Sequence, residues 1–86
     1  MNTNDYFLNI LNECNKINIT NSYSEIDVLC KLVYTDMNKV RENQELYDCF
    51  KNMHNICTKT TSGNFSHNIA TIRGICIRNI EFIKEK

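Results

Sequence analysis

Five cysteines and two histidines are the side chains of this 86-residue chain best suited to nucleophilic, redox or metal chemistry. Cys14, Cys30, Cys57 and Cys76 each fall on the apolar stripe of a different segment of helical period, and Cys49 falls on the broad apolar face of the third. Four segments thus aim thiols at one interior, where a free cysteine behaves as a small hydrophobe. Disulfide pairing would need Cα atoms within about 7 Å, and an odd count leaves one thiol over. Zinc fits poorly, because there is no Cys-x-x-Cys knuckle. Of the best candidate set, Cys49, His54 and Cys57 with His67 or Cys76, the first two diverge by about 140° on one helix. A Cys57 nucleophile with His54 one turn earlier is within reach, but a reactive thiolate wants an electropositive, partly exposed setting, and Cys57 sits mid-stripe. No paired carboxylates, glycine-rich phosphate loop or Gly-x-Ser-x-Gly elbow is present. The residues predict a protein that is not an enzyme and uses no metal or cofactor.

The elements that position these thiols follow from period and punctuation. Residues 45–57, ELYDCFKNMHNIC, place Leu46, Tyr47, Cys49, Phe50, Met53, Ile56 and Cys57 on one half of a helix. That face is wide enough to touch two neighbours. It is read as the central helix. Before it, Phe7, Ile10, Leu11 and Cys14 mark a short helix over residues 5–15, with Asn4 placed to cap it. KINITN, residues 16–21, reads as an extended connector. Ser22 and Glu25 stand in capping-box spacing, opening a second helix with the stripe Ile26, Leu29, Cys30, Val33 and Met37. It runs to about residues 36–39, with a break near Thr35 and a bend over 36–43. TKTTSGN, residues 58–64, reads as a loop. Phe65, Ile69, Ile72, Cys76, Ile80 and Ile83 then give a five-turn stripe. Its β-branched content also allows a hairpin around Arg78 and Asn79, but length and period favour helix. The fold class expected is an all-α, small four-helix bundle with short connectors, a single domain over residues 1–86.

Bulk composition limits the functions open to such a bundle. Ten basic and ten acidic side chains cancel, so no net field holds nucleic acid or an anionic membrane. No run of eighteen apolar residues or basic leader marks a membrane span or signal peptide, and the location expected is cytoplasmic. Heavy use of asparagine and isoleucine, no proline or tryptophan, and seven lysines against three arginines resemble the output of an AT-rich viral or microbial genome. Two glycosylation sequons, Asn18-Ile19-Thr20 and Asn64-Phe65-Ser66, fall in expected loops and point weakly the other way, to secretion.

Once the stripes are assigned, a second apolar set remains: Val28 and Leu32 on the second helix and Ile75 and Phe82 on the last, with Leu8 and Ile77 more isolated. These residues either widen the core contacts, as a bundle helix meeting two neighbours requires, or form a contact face for a partner protein or a second copy, giving a homodimer. The function expected is a small non-enzymatic interaction module, of adapter or inhibitor type, using the surface of helices two and four.

Two resemblances give alternatives. FLNILNECNKINIT, the second stripe, and Val40 with ELYDCFKNM resemble the N-terminal helical domain of transcription elongation factors and the related integrase-binding domain of lens epithelium-derived growth factor, over residues 7–53. That resemblance implies a bundle docking short disordered peptides. The cysteines, sequons and four helices are similar in outline to short-chain helical cytokines, which would imply a secreted, disulfide-bonded ligand.

Overall fold

Apolar residues three and four apart make helices here, and four helices must bury their stripes against one another. The computed structural model describes the backbone of residues 3–20 and 23–84 and the side chains of 4–17 and 23–80. It holds α1 (Thr3–Thr20), one 3-10 turn (Tyr23–Glu25), α2 (Ile26–Lys39), α3 (Gln44–Thr58) and α4 (Phe65–Lys84), with no strand among the described residues. The expected all-α bundle is the fold. α1 lies along α4, α2 along α3, and lighter contacts join α1 to α2 and α3 to α4. The helices therefore follow a ring in chain order. α2 and α4 occupy opposite corners.

Phe7, Ile10, Cys14 and Ile17 from α1, Leu29 and Val33 from α2, Phe50 and Met53 from α3, and Ile69, Ile72 and Cys76 from α4 are wholly buried. Phe50 sits at the centre of the aromatic packing. Its ring stacks on Phe7 at 4.9 Å between centroids and takes Tyr6 edge-on at 6.4 Å.

Several local expectations are corrected. α1 continues through KINIT to Thr20 because Ile17 prolongs the stripe of Ile10 and Cys14 into the core. Burial outweighs the weak helix propensity of β-branched residues. The first sequon consequently lies in α1 rather than in a loop. Asn4 is not a cap: it lies inside α1, its Oδ1 buried without a hydrogen-bond partner. Ser22 is outside the described residues, and Glu25 precedes α2 without a side-chain capping bond, its carboxylate 3.8 Å from Lys16 Nζ. α2 does not break at Thr35, whose hydroxyl donates back to the Lys31 carbonyl at 2.8 Å. The turn comes at Val40–Asn43 instead, where the Asn43 side chain accepts from the Leu46 amide at 3.2 Å and starts α3. α4 is one continuous helix through Gly74, and the hairpin alternative falls.

Candidate functional site

The four helices do bring their thiols together, though not all to the same depth. Cys14, Cys57 and Cys76 are buried, Cys30 and Cys49 half-buried, and all five are free. The expectation that every cysteine points wholly inward is corrected for Cys30 and Cys49, which sit where the stripes of α2 and α3 meet the rim. Burial pushes the Cys14 thiol up to about 12, with the Glu13 carboxylate adding to the rise and Arg73 opposing it. A thiol of that acidity is ionised in about one molecule in 10⁵ at pH 7. Cys57 is raised further, first by burial and then by the nearby thiols of Cys30, Cys14 and Cys76. Cys76 is raised by burial and by its neighbours Cys14 and Cys49, and its Sγ lies 3.9 Å from the Met53 sulfur. These contacts line the core with sulfur, and burial keeps its three thiols protonated at neutral pH.

His54 stands one turn before Cys57 on α3. It is half-buried, its ring 5.3 Å from that of Tyr34 on α2, while His67 is exposed in the first turn of α4. Among the described residues, no three His, Cys, Asp or Glu side chains converge in a way that could hold a metal ion. No helix described is long and apolar enough to cross a membrane.

The remaining feature is the outer surface of α2. Among the described residues, the large apolar side chains left exposed are Leu8, Tyr23 (42%), Val28 (49%) and Tyr34 (52%). Three of these four belong to α2 or the turn that opens it. Val28 continues into half-buried Leu32 one turn on. Tyr34 lies about 120° around the helix from Val28, and between them runs a polar strip of Asp27, Lys31 and Thr35, all exposed. Ile75 is half-buried against the core on α4, across the ring from Val28 and Leu32. The Phe82 side chain lies outside the described residues.

Sequence reasoning passed over Tyr34 and Asp36. Asp36 is 3% exposed, and its Oδ2 has no hydrogen-bond partner. Burial holds its carboxyl above the usual range, against the lowering pull of Lys39. The signal was available: Asp36 stands seven residues after Leu29 and three after Val33, on the core edge of the stripe.

Compared with known proteins, the chain matches no family, no curated protein and no solved structure.

Proposed function

We propose that the chain is a small non-enzymatic interaction module that binds a partner helix through the outer face of α2, a second copy of itself being the partner this face fits best. The observation that carries this reading is the gathering of exposed apolar side chains on and beside α2. A soluble domain commonly scatters such residues singly; here Val28 and Tyr34 flank one strip whose charges complement themselves. Two α2 helices laid antiparallel about a two-fold axis place Asp27 of each copy toward Lys31 of the other, with Val28 and Tyr34 closing over the sides. The weakened acidity of the buried thiols of Cys14, Cys57 and Cys76, which stay protonated at neutral pH, supports the non-enzymatic part. Five free thiols suit a reducing compartment such as the cytoplasm.

α2 is fourteen residues long, about 21 Å of helix. A contact of that length belongs to the small, transient class of interface. The test is the mass of the purified chain as a function of concentration, with Val28→Glu and Tyr34→Glu as comparisons.

A further inference from the structure

We propose that Cys30 and Cys57 are a redox-sensitive pair, closing into a disulfide between α2 and α3 when the folded chain meets a hydroperoxide. This inference is independent of the role given to the outer face of α2.

The register of the two helices carries it. Tyr34 and His54 face each other across the α2–α3 seam at 5.3 Å. Because the helices run antiparallel, one turn back along α2 and one turn forward along α3 leads to the next facing pair, Cys30 and Cys57. The two thiols are close enough to act on each other's ionisation: burial raises the Cys30 thiol, the Cys57 thiol opposes that rise and Asp27 adds to it, while Cys30 is among the groups that raise Cys57. Exposure then sets the order of events. Cys30 is half-buried at the rim, whereas Cys57, Cys14 and Cys76 are sealed in the core. Cys49, also at the rim, faces away from this seam, and its sulfur accepts from the Asn79 amide at 3.9 Å.

In the first step the Cys30 thiolate attacks one oxygen of the peroxide, breaking the O–O bond to give a sulfenic acid and an alcohol or water. The Cys57 sulfur then attacks the Cys30 sulfur, the S–O bond breaks, and water leaves with the Cys57 proton. Overall, two thiols are oxidised by two electrons and one peroxide is reduced.

The experiment treats the native full-length chain with hydrogen peroxide, blocks remaining thiols, and reads intact mass and tryptic peptides without reduction. The expected result is a loss of about 2 Da and a linked peptide joining residues 17–31 to 52–59, reversed by dithiothreitol. Its rate should climb about tenfold per pH unit below the thiol pKa, because the thiolate is the attacking form. The link should persist in Cys49→Ser and vanish in Cys30→Ser, a rim substitution that leaves the sealed core intact. Peptides 17–31 and 52–59 recovered unlinked, Cys30 carried on to sulfinic acid, or a link joining residues 42–51 to 74–78 instead would each overturn the proposal.

Discussion

The hydroxyl of Tyr23 donates to the carbonyl of Thr60 at 3.1 Å, tying the turn that opens α2 to the turn that closes α3. Thr60 is a buried junction. Its hydroxyl donates to the Ile56 carbonyl at 2.7 Å and accepts from the Asn68 side chain at 3.0 Å, so three elements meet on one threonine. The Tyr23 ring rests edge-on against Phe65 at 6.0 Å. Tyr23→Phe keeps that ring contact and removes only the hydroxyl, and should cost about 1 kcal/mol. Thr60→Val fills the same volume but strips Asn68 of its acceptor, and should cost about 2 kcal/mol. Urea denaturation of the two variants checks both the values and their order.

Gly74 is a weak point in α4. Nothing lies within 4 Å of where its Cβ would stand, so Gly74→Ala restricts the unfolded chain and improves helix propensity without a clash. The substitution should stabilise the protein by about 1 kcal/mol, read as a higher urea midpoint at unchanged slope.

Asp36 gives a pH signature. Its folded pKa is raised above the ordinary 3.8 by burial, so between those two values the folded state holds the proton that the unfolded state has released. Stability from this group therefore rises as pH falls through the folded value and is lost as pH climbs above it. At neutral pH the charged, unpartnered carboxylate is a burden. Asp36→Asn should be more stable than the natural chain by about 1 kcal/mol at pH 7, with the difference shrinking as the pH is lowered toward 3.8. A pH series of thermal melts on both proteins measures it.

The sulfur core makes a labelling prediction. A small alkylating reagent applied to the native chain should modify Cys30 and Cys49 first. Cys14, Cys57 and Cys76 should react only as fast as the fold opens. Mass spectrometry of the labelled peptides over time separates the two groups.

How far the sequence foretold this structure depended on what each residue's position was deciding. The stripes of Ile26, Leu29, Val33 and Met37 in α2 and of Ile69, Ile72 and Cys76 in α4 were readable because burial imposes the helical period on them directly. Phe50 and Met53 were recognisable as central for the same reason. The end of α1 was not, because Asn18, Ile19 and Thr20 have weak helix propensities and only the docking of Ile17 keeps the helix going. Thr35 looked like a boundary because a threonine hydroxyl serves equally as a cap or as a partner for the carbonyl four residues back. Asn43 falls inside the bend expected over residues 36–43, where its side chain is the cap of α3. The contact face was half visible. Val28 and Leu32 stood out as apolar residues beyond the main stripe, yet only the ring order of the helices separates them from Ile75, and only exposure singles out Tyr34.

Sedimentation equilibrium of the purified, reduced chain, from micromolar to about 1 mM, tests the proposed role of α2 most directly. The expected result is a reversible monomer–dimer equilibrium that shifts to monomer in Val28→Glu and in Tyr34→Glu, with the helical content of both variants unchanged. A single 10.1 kDa species at every concentration, or a dimer untouched by either substitution, would contradict it.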